Sequence, residues 1–531
     1  MIDVPHRYYL FGTGLLVRLD LKRDRILIAT WVALLTATCY ASAAATAALY
    51  PTVSDQVSAA RAINSSGAIV ALYGPVLDPH SLGELAMTKM TVLYAVLVAV
   101  MCLVVIRRHT RTEEESGRTE LVGGTAVGQG AQLAAAVVVA SLVSVVLGFL
   151  AAAANLAGGL PIGGSLWFGA SWAGIGLVAV GVSAVACQLS ASSRTCGEFA
   201  AAAIAAMYAL RAAGDTSSAS WLSWLSPFGW STQLRAWSSP RPWVLLLYLV
   251  LTAVLVASAF GLQRSRDIGS GLLQARPGPS VGSPRLRGVG AITFRMNAVT
   301  LTIWSVATGA MSVALGAIAP NISNVLHSSG ARGMIERIGG VGTLRETLLA
   351  AELSITAVIV TCFGLSVVGH TASDERDGRT AQVLASPTSR TSNFAATTAV
   401  ALLGTGWLML VAGSCLSLGY WSADGGSLNL IAAALVHLPA VWLVIALGIL
   451  AWSFDNSFVV VGWGFLALFL TLGQLGELLQ LPAWIIGISP YTHVPLIPVE
   501  SFNAASTVTL SALAAVALAL ASTQYARRDI L

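Results

Sequence analysis

The chain has 531 residues, 56% of them hydrophobic and only 10% charged, and its mean hydropathy is +0.77. Soluble globular proteins carry roughly 25% charged residues, so the composition excludes a soluble enzyme. The net charge of +5 is a topology signal rather than a footprint for nucleic acid. The expected class is an all-α polytopic membrane protein, because a span needs about 20 apolar residues and a helix satisfies its own backbone groups where water is absent.

Residues 1–25 set Arg7, Arg18, Lys22, Arg23 and Arg25 beside Leu15, Leu16, Leu19 and Leu21. This basic, amphipathic pattern predicts a segment lying in the membrane interface ahead of the first span, uncleaved because Ile26–Leu49 is long enough to cross. About twelve spans are predicted. Six lie near 26–49, 86–106, 131–155, 167–189, 197–212 and 243–262, and six near 298–319, 352–369, 394–418, 428–452, 458–475 and 506–523.

Directly after the second span comes His109-Thr110-Arg111-Thr112-Glu113-Glu114-Glu115-Ser116-Gly117-Arg118-Thr119. After the eighth comes His370-Thr371-Ala372-Ser373-Asp374-Glu375-Arg376-Asp377-Gly378-Arg379-Thr380. His, Thr, two acids, Gly, Arg and Thr recur at one spacing, so the chain is a tandem repeat. Thr110 with Glu113, and Thr371 with Asp374, have capping-box spacing. Glu114 with Arg118, and Glu375 with Arg379, have the favoured i,i+4 order, worth only about 0.2–0.5 kcal/mol each. The acids Glu113 to Glu115 and Asp374 to Asp377 are expected to protrude, with Gly117 and Gly378 admitting a facing backbone.

Two further echoes set the repeat boundary. Ser226-Pro227-Phe228 matches Ser489-Pro490-Tyr491 before the last span of each half, and Arg266-Asp267-Ile268 matches Arg528-Asp529-Ile530 after it. Six spans per half is an even number, so the repeats are parallel rather than inverted. The predicted division is a connecting helix at 1–25, a first six-helix half at 26–268, a linker with a second connecting segment at 269–297, and a second half at 298–531. One side of this topology collects 21 of the 29 Lys and Arg residues, which by the positive-inside rule makes that side, with both termini, cytoplasmic. The Trp- and Pro-rich stretches 213–242 and 476–505 are predicted to be interfacial or re-entrant helices on the other side.

A Walker A loop needs a Lys before Ser or Thr. The two lysines, Lys22 and Lys89, precede Arg23 and Met90, so ATP binding by that motif is excluded. The six cysteines show no CxxC spacing, and no third ligand joins His109 and Glu113 or His370 and Asp374, so no metal site is predicted. His437, beside Pro439 in the tenth span, is the most interior titratable group. It is the one handle for an alternative reading as an ion-coupled secondary carrier.

The duplicated acidic-Gly-Arg stretches 113–121 and 374–379, with Trp224-Leu225-Ser226-Pro227-Phe228-Gly229-Trp230, resemble the ABC-2 type permeases. The double-length exporter permeases of actinobacteria described for polyketide antibiotics and tetronasin resistance are the nearest match. The resemblance implies a pseudo-dimeric membrane subunit working with two copies of a separate ATPase, which binds ATP and magnesium. It implies coupling helices at Glu113, Glu114, Glu115, Gly117 and Arg118 and at Asp374, Glu375, Asp377, Gly378 and Arg379. The cargo implied is an amphipathic drug or antibiotic, or alternatively a lipid or cell-envelope precursor. By the same analogy the second and fifth helices of each half line the path, with Tyr94, Met101, Met207, Tyr208, Phe363, Phe458, Trp463 and Phe465 as cavity candidates. The second copy departs from the first at Gln382, where the first has Glu120.

Overall fold

Long runs of Leu, Val and Ala give a chain in lipid no satisfied conformation but the helix. In the computed structural model every regular element among the described residues is helical. The structure describes residues 9–65, 67–217, 219–273, 283, 286, 288–321, 341–424, 430–475 and 482–529. They form two compact units, one of residues up to 273 and one of residues from 283 onward. Eleven described helices are long and apolar enough to cross a membrane.

In the first unit α1 (Thr13–Arg23) is the basic amphipathic helix, and a bend at Asp24 separates it from α2 (Arg25–Leu49). Helices α3 (Val53–Ser65) and α4 (Gly67–Tyr73) follow. Helix α5 (Leu82–Lys89) passes through a π-helical turn, Met90–Tyr94, into α6 (Ala95–His109). A π turn disturbs the regular ladder, and here the buried Trp172 indole donates to the Met90 carbonyl at 3.0 Å. Next come α7 (Arg111–Glu115), α8 (Arg118–Gly123), α9 (Ala131–Ala157), α10 (Ile162–Leu189), α11 (Ser193–Thr216), the short α12 (Pro227–Gln233) and α13 (Val244–Arg264).

The second unit contains α14 (Val289–Ile318), α15 (Val341–Arg376), α16 (Arg379–Leu384), α17 (Arg390–Asp424), α18 (Leu430–Leu435), α19 (Leu438–Phe454), α20 (Val459–Leu475), the short α21 (Ala483–Ile486) and α22 (Ala504–Arg527). Three elements differ from expectation. The tenth predicted span is interrupted, because Pro439 has no N–H to give and so sits at the start of α19, after the break at Val436 and His437. The eleventh, 458–475, forms the 17-residue α20, shorter than a full crossing. The residues before 298 form no separate connecting helix, since α14 runs unbroken from Val289.

The Ser-Pro echo has a structural meaning in both units. Ser226 donates to the Met207 carbonyl at 2.6 Å and Ser489 to the Phe469 carbonyl at 2.9 Å. Each buried serine therefore ties the segment before its last span to the preceding long helix. Expected segment 476–481 lies outside the described residues.

Helices α9 and α10 meet at Gly148 and Gly169. A Cβ on Gly148 would stand 2.4 Å from the Gly169 oxygen, and one on Gly169 2.3 Å from the Gly148 oxygen. Small residues let backbones touch where lipid offers helices no hydrophobic reason to associate. Gly148→Val is expected to cost about 1–3 kcal/mol through overpacking, read as a lower thermal midpoint in lipid nanodiscs. Gly163→Ala, in the first turn of α10 with nothing within 4 Å of the new Cβ, is the control expected to change nothing.

Candidate functional site: the two acidic glycine turns

Each half of the repeat carries its densest charge at the turn after its second long helix. Gly117 and Gly378 have φ of +74° and +73°, the left-handed region that glycine enters without a Cβ penalty. That turn sets α8 and α16 at an angle to the helices before them and breaks helical spacing across the glycine. Consequently each turn has an ion pair spanning five residues, and the second adds one spanning two. Arg118 pairs with Glu113 at 3.2 Å, and Arg379 with Asp374 at 2.8 Å and with Asp377 at 2.6 Å. Hydrogen bonding to Asp374 holds the Arg379 guanidinium above its ordinary range, and Glu113 does the same for Arg23.

These pairs correct the expected i,i+4 pairing of Glu114 with Arg118 and of Glu375 with Arg379. The capping boxes are also absent. Thr110 makes no cap and donates instead to the Ile106 carbonyl at 2.6 Å. Thr371 lies within unbroken α15 and donates to Val367 at 3.3 Å. Tertiary contacts, not the local pattern, decide these side chains.

The acids that recur as Glu in both copies do not protrude. Glu114 is held between two guanidiniums, Arg111 at 2.9 Å and Arg266 at 2.6 Å, and also accepts from the Gly269 amide at 2.6 Å. Glu375 is buried, paired with Arg528, and accepts from the Tyr525 hydroxyl at 2.8 Å. Arg266 and Arg528 head the Arg-Asp-Ile echo, so each half has the same lock: a carboxylate three residues before its left-handed glycine clasps an arginine just past its last long helix. Sequence reasoning used that echo only to mark the repeat. The repeated Glu and the repeated Arg were the signal for the pairing.

The first unit adds a cage around buried His109. Its ring stands 3.0 Å from Asp20 and 2.7 Å from Asp24, and Arg108 lies 2.8 Å from Asp24. Arg23 reaches Glu113 at 2.8 Å, so α1 is fixed to the turn. In the second unit the His370 ring stands 3.2 Å from the neutral Asn297 side chain. Glu115 accepts from the Ser193 amide at 3.1 Å, which joins the turn to the start of α11. Glu115, Arg118, Glu120 and Leu121 face outward on the first turn, Leu121 being 77% exposed.

The cavity candidates are not brought together in either cleft described here, one by Glu84 and Trp237 and one by Glu114 and Gln132. Met101 and Phe363 lie inside the cores of their units. Tyr94 and Met207 are half-buried against the first core. Tyr208 donates to the Leu72 carbonyl at 2.6 Å, and Phe465 stacks on Phe469. Phe458 and Trp463 are 49% and 40% exposed on and beside α20. His437 is buried, with one ring nitrogen 3.2 Å from the Ser354 hydroxyl and the other 3.0 Å from the Ala433 carbonyl. Both nitrogens are thus matched to neutral partners.

Breaking a buried ion pair from one side costs about 3–5 kcal/mol, because the remaining charge stays desolvated. Glu114→Lys, which sets a third cation beside Arg111 and Arg266, and Glu375→Gln are each expected to lower the thermal midpoint and the yield of folded protein. Glu120→Lys, on the exposed face of the same turn, is expected to stay within about 0.5 kcal/mol of the parent.

A protein family described as the C-terminal domain of the multidrug efflux system permease Rv1217c matches residues 14–264 and 286–526. The multidrug efflux system permease protein Rv1217c of Mycobacterium tuberculosis is 36% identical over 535 residues, covering 99% of this chain and 97% of that protein. The match to this relative takes in all eleven span-length apolar helices of the described residues. The chain belongs to the family of the multidrug efflux system permease Rv1217c.

Proposed function

We propose that the chain is the membrane subunit of an ATP-driven exporter of amphipathic drugs or antibiotics, powered by two copies of a separate ATPase that carries the ATP and magnesium. The observation that supports this reading best is the repeated lock, Glu114 on Arg266 and Glu375 on Arg528. A push on either glycine turn passes through a buried, charge-assisted contact to the last helix of the same half, without a flexible loop between. The two halves, 26–268 and 298–531, act as a pseudo-dimer, with the turns and both termini cytoplasmic. The cargo class rests on the likeness to a multidrug efflux permease. Within the membrane, the exposed apolar surface of Phe458 and Trp463 is the part of the expected path that remains open to a ligand.

Because Glu113, Glu114 and Glu375 are engaged internally, the ATPase contact moves to the outward face of α8 and α16. Leu121 is the best single probe, being large, apolar and exposed outside the core. Leu121→Glu is expected to leave the thermal midpoint unchanged while lowering co-purification with the ATPase and transport-linked ATP hydrolysis about tenfold, a loss of about 1.4 kcal/mol. Export by this variant at the parent rate would remove α8 from the coupling surface. Export that survives ATP depletion and stops when the proton gradient is collapsed would favour the ion-coupled carrier instead.

A further inference from the structure

Beside the Gly117 turn the first unit contains a cleft of about 190 Å³, bordered by Glu114, Thr119, Gln132, Leu133, Gln263 and Arg266 among others. A cavity of about 150 Å³ holds a benzene ring, so this one admits a substituted aromatic. Its lining mixes polar side chains with the apolar Val122, Val127, Leu133 and Ile268. The Thr119 hydroxyl is buried there without a hydrogen-bond partner.

The second unit shows what the same place looks like when it is full. The repeat offset that aligns Arg266 with Arg528 aligns Gln263 with Tyr525, and the one that aligns His109 with His370 aligns Gln132 with Asn393 and Leu133 with Phe394. There the Tyr525 ring is buried against Phe394, centroids 5.5 Å apart, and against Trp452, centroids 4.8 Å apart. Its hydroxyl donates to Glu375 at 2.8 Å and accepts from the Asn393 amide at 3.1 Å. In the first unit Gln263 supplies no ring. It is turned to other partners, accepting from the Tyr9 hydroxyl at 3.3 Å and donating to the Gln129 carbonyl at 3.1 Å. The counterparts of the groups that hold Tyr525, Glu114, Gln132 and Leu133, all border the open cleft.

We propose that this cleft binds a neutral phenolic ring, with its hydroxyl at Gln132 and Glu114 and its face on Leu133, in the arrangement that Tyr525 supplies internally in the second unit. A phenol suits the site on three counts. It titrates near pH 10 and so enters without charge, it both donates and accepts, and Thr119 offers a further hydroxyl. Neither the identity of the motor nor the location of the transport path enters this inference.

The test uses the full chain in lipid nanodiscs with p-cresol, the tyrosine side chain as a free molecule, and toluene, which lacks the hydroxyl. Calorimetric titration against empty nanodiscs is expected to show one saturable p-cresol site per chain, bound about tenfold more tightly than toluene. Gln263→Tyr, which fills the cleft from within, is expected to abolish the site. Gln132→Leu is expected to erase the preference for cresol over toluene. Absence of saturable cresol binding, equal binding of cresol and toluene by the parent, or unchanged cresol binding in a folded Gln263→Tyr protein would each overturn the proposal. If that variant does not fold, the cresol-to-toluene ratio in the parent and in Gln132→Leu decides.

Discussion

A carboxylate removed from water must find its compensation inside the protein, and in each half of this chain one carboxylate finds it in an arginine more than 150 residues away. Much of the local geometry follows from that requirement. The lock fixes where the last long helix ends relative to the turn after the second. In the first unit the surrounding cage also fixes the amphipathic α1 against the same turn. The left-handed glycine completes the arrangement, sending the chain out of one helix and into a short second one whose exposed face is free for other contacts. A membrane protein with so few charges has concentrated them where helices must be held at their ends, since apolar surface gives no such register in lipid.

The two halves meet the requirement with different chemistry. The first surrounds its histidine with Asp20 and Asp24 and its glutamate with two guanidiniums, while the second uses Asn297, Tyr525 and a single arginine. The second unit adds aromatic packing at its lock, with Phe394, Trp452 and Tyr525 in mutual contact and Arg528 over the Trp452 and Tyr525 rings. Through these differences the carboxylate–arginine pair is common to both units.

The helical class and most span positions were legible from hydropathy, because a run such as 131–155 leaves no other conformation. The duplicated turn was legible as a repeat, but its contacts were not. Capping-box spacing around Thr110 is a statement about a helix start, and the serine-like back-bond to Ile106 shows that the chain there had not finished the previous helix. The i,i+4 reading failed for a physical reason, since one positive-φ glycine between the partners changes the spacing to five. The Glu114 to Arg266 pair was within reach of sequence reasoning, as both members recur at fixed offsets, whereas the open cleft was not. Its existence depends on Gln263 turning toward Tyr9, which no periodicity encodes.

The π turn at Met90–Tyr94 gives the second long helix of the first unit one residue more than a regular α-helix needs over that length. Each residue of an α-helix advances the chain by about 100° and 1.5 Å. Exchange of that turn for a regular one would therefore swing everything below it, His109 included, by about 100°. The aspartates around His109 consequently act as a rotational detent on a helix whose own backbone leaves it one residue of slack. The corresponding helix of the second unit, α15, is regular from Val341 to Arg376 and has no such slack to restrain.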